Sequence, residues 1–192
     1  MSSRGVKPDE NPNPSPNPNL NRAVTYGLLA AWALHDAEEV LAGPRWLREH
    51  LPELRERFPA VPEAVWKAAA GVDEREFAVA VAGVGAFVAA AAVAGRRSGG
   101  RSAFYQAALN GFGLHGLVHL AQAAAVRGYT PGSATSPLVV VPFALWARGR
   151  LRRAGVLRPT RARDVVTGLA VAAGVTVAAH GLARKVTGHP RF

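Results

Sequence analysis

Five apolar stretches, separated by polar or arginine-rich connections, dominate the hydropathy pattern of this chain. They lie at residues 23–42, 77–95, 103–126, 136–147 and 165–183. All but the fourth approach or exceed the roughly 20 residues with which a helix spans a bilayer. The fourth stretch is shorter and contains Pro137 and Pro142, so we expect it to be kinked. The pattern predicts an all-α fold, a polytopic membrane helical bundle of about five transmembrane helices.

An amphipathic segment fills the connection after the first apolar stretch. In RWLREHLPELRERF, apolar residues recur at helical spacing with charges on the other faces: Leu47, Leu51, Leu54 and Phe58. Such a segment fits an interfacial helix that lies in the headgroup plane of a membrane. Pro52 leaves open whether it forms one helix or two, and a solvated connector is the alternative interpretation.

The two ends of the chain differ in composition from its centre. Residues 1–21 contain NPNPSPNPN, an alternation of proline and asparagine that favours neither helix nor sheet, so we expect a disordered tail there. This tail lacks the apolar core of a cleaved signal peptide, so we expect the first apolar stretch to remain as an anchor. Residues 22–188 are then a single membrane helical domain, and 189–192 are a C-terminal tail.

Basic residues predict how the bundle is oriented. The chain carries 23 lysine and arginine residues against 13 aspartate and glutamate residues, a net charge of +10. Arginines concentrate at 96–101 and 148–163, whereas the connection at 127–136 has Arg127 alone. The positive-inside rule places the two basic loops in the cytoplasm. We therefore expect an inner-membrane protein whose N-terminus is inside the cell and whose C-terminus is outside. No groove-reading motif accompanies the arginines, so we expect no nucleic-acid partner.

The first apolar stretch contains an energetically costly feature. His35-Asp36-Ala37-Glu38-Glu39 places four ionisable side chains within five residues, and each charge at the centre of a bilayer helix costs about 2.5–3.5 kcal/mol. A helix turns by about 100° per residue, so His35, Glu38 and Glu39 share one face. Neutralisation by a metal ion, by a buried basic partner or by a proton would offset this cost, and each marks a functional site.

Imidazoles in the third stretch complete a candidate metal site. His115 and His119 lie four residues apart and present two nitrogens on one helix face. The first, third and fifth stretches cross the membrane in the same direction and carry their polar residues in their C-terminal halves, so these groups lie at similar depth. We therefore predict that His35, Glu39, His115 and His119 bind one metal ion. Hydrogen bonding between helices is the alternative role for the paired histidines.

The available ligands also discriminate among metals. The chain has no cysteine, which leaves oxygen and imidazole ligands. A ferritin-like di-iron site recruits about four carboxylates from several helices, whereas here the carboxylates all lie on one helix. Two or three imidazoles with one carboxylate suit a single divalent transition metal with an open coordination position, zinc being favoured over iron.

Other polar residues receive roles around this centre. Glu38 is offset from the ligand direction, so we predict that it acts as a general base on water. Tyr129 either donates a hydrogen bond to substrate at the mouth of the site or anchors the chain at the membrane interface. Asp36 is a candidate orienter of a ligand imidazole. His180 is expected to be a satisfied interior or interfacial residue, and His50 and His189 are expected to be solvated.

Two short motifs in these segments resemble a known family. His35-Asp36-Ala37-Glu38-Glu39 resembles the H-x-x-E-E signature of the HXXEE-motif family of bacterial membrane proteins, and Tyr129-Thr130-Pro131-Gly132 matches its Y-x-P-G motif. His115 or His119 supplies the further histidine. The resemblance covers roughly residues 23–147. It implies an integral membrane protein with suspected enzymatic activity and identifies no substrate.

Three functional hypotheses follow from the sequence. The first is a metal-dependent membrane enzyme, a hydrolase rather than an oxidase, that acts on a membrane lipid or another apolar small molecule. The second is a small transporter or proton-coupled carrier that uses the intramembrane His/Glu cluster. The third is an assembly partner without catalysis. The small size of the chain leaves homo-oligomerisation open.

Overall fold

All regular secondary structure among the described residues is helical. The computed structural model describes residues 18–159 and 162–187, and it places the side chains of residues 22–159 and 173–187. In chain order the helices are α1 (Pro18–Arg57), α2 (Glu63–Ala70), α3 (Glu74–Arg97), α4 (Ala103–Val126), α5 (Val141–Arg153) and α6 (Ala162–Thr187). The predicted all-α fold class is confirmed over these residues.

The first helix is longer than predicted. α1 has 40 residues and continues through Pro44 and Pro52, so the segment predicted as a separate interfacial helix is its C-terminal part. It begins at Pro18, and proline is well tolerated in a first helical turn because the nitrogen there needs no hydrogen bond. Residues 18–21, the end of the predicted disordered tail, are therefore helical. Residues 1–17 and the predicted tail at 189–192 lie outside the described residues.

α1 bends over one end of the bundle. Glu39 on α1 contacts His119 on α4, and Arg57 Nη1 donates to the carbonyl oxygen of Val126 at 3.0 Å. A straight helix would carry Arg57 about 27 Å beyond Glu39, whereas Val126 lies only about 10 Å beyond His119 along its own helix. The contact therefore requires α1 to bend toward the end of α4. The two prolines inside α1 are the expected positions of such a bend.

A π-helical turn connects the loop after α4 to α5. It covers Ser136–Val140 and passes directly into α5, so the fourth apolar stretch is helical but irregular at its start. Pro137 and Pro142 lie in or next to this turn, where they remove backbone donors from the regular ladder. The turn packs against α1 and α4, which places the preceding loop beside the polar face of α1.

Polar side chains close the opposite end of the bundle. Gln106 Nε2 donates to the carbonyl oxygens of Gly100 and Val156 at 2.7 and 2.8 Å, and its Oε1 accepts from the backbone N–H of Arg158 at 2.8 Å. One buried amide thus satisfies backbone groups of the connections after α3 and α5. The core lies between these connections and the candidate site, and Leu28, Leu109 and Val140 are among its fully buried residues.

The helix compositions bear on the predicted number of membrane spans. Among the described residues, α3 is the one helix that is long and apolar enough to cross a membrane, with a mean hydropathy of 2.3. α1 and α4 carry the polar residues of the candidate site, and α5 has 13 residues. The described residues are all-helical, and by this criterion the predicted five-span bundle is not confirmed.

Close packing of α3 on α4 generates a test of the fold. Tyr105 is fully buried, and its hydroxyl donates to the carbonyl oxygen of Val24 at 2.7 Å, so its ring cannot move aside. A Cβ at Gly95 would lie 2.5 Å from that ring. Gly95→Ala should therefore destabilise the protein by about 1–3 kcal/mol. Thermal unfolding of the purified protein in detergent measures the change.

Gly111→Ala is the matched control for this substitution. Gly111 also lies within a helix, but a Cβ there meets nothing within 4 Å. Alanine has a higher helix propensity than glycine, so this variant should be unchanged or slightly more stable. Equal unfolding temperatures for the two variants would contradict the predicted contact between α3 and Tyr105.

Candidate metal centre

Four side chains from α1 and α4 converge on one small region. They are His35, Glu39, His115 and His119, and one potential ligand atom from each lies within 4.8 Å of all the others. Glu39 Oε1 is 3.1 Å from His119 Nε2, and Glu39 Oε2 is 3.8 Å from His115 Nε2. The structure brings together the four residues that the sequence predicts as ligands.

These separations are close to those of a metal site. Nitrogen and oxygen ligands lie about 2.0–2.1 Å from zinc, so two neighbouring ligands of one ion are about 3 Å apart. The Nε2 atoms of His115 and His119 are 2.9 Å apart, and His35 Nε2 is 4.0 Å from Glu39 Oε2. Small side-chain adjustments would bring the four atoms around one ion. The donor set, three imidazoles and one carboxylate, fits a divalent transition metal.

Burial differs sharply among the four ligands. His35 has no exposed surface and His119 is 6% exposed, so both are held inside the helix packing. The side chain of His115 is 44% exposed. The cluster is therefore closed on the side of α1 and open beside His115, where a small molecule can approach.

His35 is held by one ring nitrogen and left free at the other. Its Nδ1 is 2.7 Å from the hydroxyl oxygen of Thr135, which lies just before the π-helical turn. Its Nε2 is buried and has no hydrogen-bond partner within the described part of the chain. This unpartnered nitrogen lies on the side of the ring that faces Glu39.

Glu38 lies beside the cluster but interacts with the loop between α4 and α5. Its Oε1 accepts from the Tyr129 hydroxyl at 2.9 Å and from the backbone N–H groups of Gly132 and Ala134 at 3.1 and 3.3 Å. Its Oε2 accepts from the backbone N–H and the hydroxyl of Thr135 at 2.8 and 2.6 Å. Both carboxylate oxygens are thus engaged, and the role of Glu38 as general base stays a prediction.

Tyr129 is partly exposed at the edge of the same site. Partial burial and the hydrogen bond to Glu38 raise the pKa of Tyr129 to about 12, so its phenol is protonated and acts as a donor. In this structure that donor is directed to Glu38. The predicted donation to a substrate stays a prediction.

The loop itself has the turn geometry expected from its sequence. Ser133 N donates to the carbonyl oxygen of Thr130 at 2.9 Å, which closes a turn with Pro131 and Gly132 at its centre. Gly132 has φ +82°, as a turn with glycine at this position requires. A Cβ at Gly132 would lie 2.7 Å from His119 and 2.9 Å from His35. Glycine therefore lets the loop backbone lie directly against two candidate ligands.

The remaining predicted residues lie around or away from the cluster. Asp36 is 7% exposed and its Oδ2 has no hydrogen-bond partner in the described structure, which leaves its role as an orienter a prediction. His180 on α6 lies 3.0 Å from the buried Glu76 of α3, which also accepts from Arg184. That contact agrees with an interior role for His180, outside the four-residue cluster. His50 stacks on Trp46, and His189 lies outside the described residues.

Sequence reasoning missed one residue of the site and one buried acid. No periodicity or motif distinguishes Thr135 from other loop hydroxyls, because its role depends on its contacts with His35 and Glu38. Glu76 lies in the first turn of α3, where acidic residues are common on stability grounds alone. Its burial depends on the packing of α6 against α3.

Comparison with known proteins now adds to this geometry. The family model described as "Protein of unknown function with HXXEE motif" matches residues 26–147. The chain belongs to the HXXEE family. The matched segment contains all four candidate ligands, Glu38 and the loop that binds it. No curated protein and no solved structure matches this HXXEE protein.

The contact of the loop with both imidazoles generates a prediction. Alanine at a position with positive φ costs roughly 1–2 kcal/mol in backbone strain. Gly132→Ala should show this cost and, because its Cβ would displace His119 and His35, should also weaken Zn²⁺ binding by at least about tenfold. Calorimetric titration of the metal-free protein with Zn²⁺ measures the affinity.

Gly155→Ala separates strain from displacement of the ligands. Gly155 also has a positive φ, +66°, but a Cβ there meets nothing within 4 Å. This variant should lose similar stability and bind Zn²⁺ as the wild type does. If both variants bind Zn²⁺ equally well, the loop does not position the two imidazoles.

Proposed function

We propose that this HXXEE protein is a metal-dependent membrane enzyme with one zinc ion per chain, and that it hydrolyses a lipid or another apolar small molecule. The observation that carries the proposal is the convergence of His35, Glu39, His115 and His119 at metal-ligand separations. A helical protein that only needed a stable core would gain nothing from packing three imidazoles against a carboxylate. Zinc is favoured over iron because imidazole-rich sites with a single carboxylate suit it.

The distribution of apolar side chains supports the membrane location. Several large apolar residues are more than half exposed on the outside of the helices: Leu34, Leu41, Leu117, Leu138, Leu145, Val177, Leu182 and Val186. The polar residues His35, Glu76 and Ser136 are, by contrast, fully buried. Such an arrangement suits a bundle surrounded by hydrocarbon. We infer about five spans in an inner membrane, with the N-terminus inside and the C-terminus outside.

The open side of the cluster supports an apolar substrate. His115 is the exposed candidate ligand, and Val118, three residues further along the same face of α4, is 45% exposed. A lipid chain that lies along this surface would place its polar group beside the cluster, entering from the side of the bundle. Tyr129, a protonated phenol bonded to Glu38 beside the cluster, would donate to that group after it turns from Glu38.

The proposed reaction is hydrolysis of an ester-like bond. A bound zinc ion supplies Lewis-acid chemistry at such a site. The three imidazoles and Glu39 would hold it with one coordination position left open, and the helix packing around His35 and His119 excludes bulk water from one side. The oxygen of a water molecule adds to the acyl carbon, the bond to the leaving group breaks, and a proton passes to that group.

Two other hypotheses remain as alternatives to the enzyme. A carrier would use the same imidazoles and carboxylates to exchange protons or to bind a transported cation. An assembly partner would pair its carboxylates with the arginines of another subunit. An assembly role requires no bound metal, so metal analysis separates it from the enzyme.

Metal content is the first test of the proposal. The purified protein should hold about one transition-metal ion per chain, because four ligand atoms converge at one place. His35→Ala and His119→Ala should each lose most of this metal while still inserting into the membrane. His50→Ala, which removes an imidazole stacked on Trp46 away from the cluster, should keep it. Elemental analysis of the detergent-purified proteins measures the content.

The same proteins test the reaction. Hydrolysis of a fluorogenic ester lipid in mixed micelles should disappear on chelation, return with Zn²⁺ and be absent in His119→Ala. Equal metal content in the wild type and both ligand variants would overturn the metal site. Normal metal content without hydrolysis of any ester lipid would instead favour the carrier.

Membrane topology is tested separately. The natural chain has no cysteine, so single cysteines report without background. Arg101→Cys and Ala154→Cys, both in exposed turns of the basic loops, should react with an impermeant maleimide only after the membrane is permeabilised, because the positive-inside rule places them in the cytoplasm. Gly128→Cys, in the opposite loop, should react in intact spheroplasts. The reverse pattern would invert the proposed orientation.

A further inference from the structure

We propose that Glu38 and Thr135 form a hydrogen-bond relay that fixes the tautomer and the orientation of His35, so that Glu38 is a positioning residue of the metal site. This inference rests on the proposed function for its consequence, which is metal affinity. It replaces the predicted role of Glu38 as a general base. The geometry that supports it lies in a chain of three side chains that joins α1 to the loop and returns to α1.

The proton positions follow from the chemistry of the three groups. Glu38 accepts hydrogen bonds on both oxygens and has no proton to donate in this arrangement. The Thr135 hydroxyl has a single proton, and it donates that proton to Glu38 Oε2 at 2.6 Å. The hydroxyl oxygen must then accept at its 2.7 Å contact with His35 Nδ1. His35 is therefore protonated at Nδ1. Its Nε2 is buried with no acceptor for a proton among the described residues, so it carries a lone pair.

That lone pair lies on the side of the ring that faces Glu39 and accepts no hydrogen bond from the described residues. His35 Nε2 is fully buried, without a hydrogen-bond partner among the described residues, and the nearest cluster oxygen is Glu39 Oε2 at 4.0 Å. The ring packs edge-on against His115 and His119, with ring centroids 5.1 and 5.0 Å apart. A lone pair and a carboxylate are both acceptors and cannot hydrogen-bond to each other. Both can bind a cation that lies between them.

The bonds that Glu38 accepts make the relay rigid. Three of its donors are backbone N–H groups, which rotate only with the loop itself: Gly132, Ala134 and Thr135. The backbone N–H of Thr135 and its own hydroxyl bind the same carboxylate oxygen, so the hydroxyl is held at one position. The imidazole of His35 is thereby fixed in rotation about its Cβ–Cγ bond. Partners that orient ligand imidazoles in this way typically contribute 10–100-fold to metal affinity.

A pair of substitutions at Thr135 tests the relay. Thr135→Val keeps the shape and the backbone bond to Glu38 but removes the hydroxyl, so it should weaken Zn²⁺ binding about 10–100-fold. Thr135→Ser keeps the hydroxyl and should stay within about threefold of the wild type. Titration of the metal-free proteins with Zn²⁺ measures both affinities, and their unfolding temperatures show that the fold is retained. Equal affinity of the valine and serine variants would overturn the relay.

Nitrogen NMR of the metal-free protein tests the tautomer independently of any metal. Imidazole ¹⁵N shifts, with His35 assigned by comparison with His35→Gln, should show protonated Nδ1 in the wild type and in Thr135→Ser. Thr135→Val should shift His35 toward protonated Nε2, because the Nδ1 acceptor is gone. A wild type with protonated Nε2 would overturn the inference. A wild type that binds no Zn²⁺ but shows protonated Nδ1 would overturn the proposed function and leave the relay supported.

Glu38→Gln separates the positioning role from general-base catalysis. An amide nitrogen has no lone pair for the donors that surround Glu38, so the relay should break and Zn²⁺ affinity should fall with that of Thr135→Val. A general base would behave differently. Unchanged Zn²⁺ affinity with turnover reduced about 10²–10⁴-fold would restore the base assignment and overturn the inference.

Discussion

The candidate site depends on the hydrogen bonds that the carboxylate of Glu38 accepts from the loop between α4 and α5. This carboxylate lies on α1, yet it satisfies a hydroxyl of Tyr129 and the polar groups of the loop between α4 and α5. Buried backbone donors without a partner are costly, particularly where water is scarce. One ionised side chain here accepts hydrogen bonds from three backbone N–H groups of the loop and from two hydroxyls. Without this carboxylate, the loop donors would lose their acceptor and the loop would be held less firmly against His35 and His119.

Histidines contact acidic side chains in two separate regions of the described bundle. In the first, α1 and α4 place imidazoles around Glu39, and the loop with Gly132 closes over them. In the second, the buried Glu76 of α3 accepts hydrogen bonds from His180 and Arg184 of α6. The second region satisfies a buried acid with an arginine and a histidine from another helix, which ties α6 to α3. The first has imidazoles alone around Glu39, a composition that could hold a metal ion.

Much of the site follows from helical geometry, and this part is readable in the sequence. The spacing of His115 and His119 puts both imidazoles on one face of α4, and the spacing of His35 and Glu39 does the same on α1. The bounds predicted for the third apolar stretch coincide with those of α4. The prediction was less accurate where proline was read as an interruption. α1 continues through Pro44 and Pro52, because a helix with a supporting neighbour tolerates the lost hydrogen bonds by bending.

The sequence by itself therefore determined most of the helices, the two pairs of candidate ligands on α1 and α4, and the turn at Pro131-Gly132, since each depends on contacts within a few residues. The packing of α1 against α4 brought the two pairs together. Tertiary structure decided which groups surround those ligands. Glu38 and Thr135 are 97 residues apart, and Thr135 and His35 are 100 apart. No local pattern records such a pairing, because it depends on how the loop after α4 packs against α1. The same packing places the carboxylate of Glu38 where it accepts hydrogen bonds from several residues of that loop.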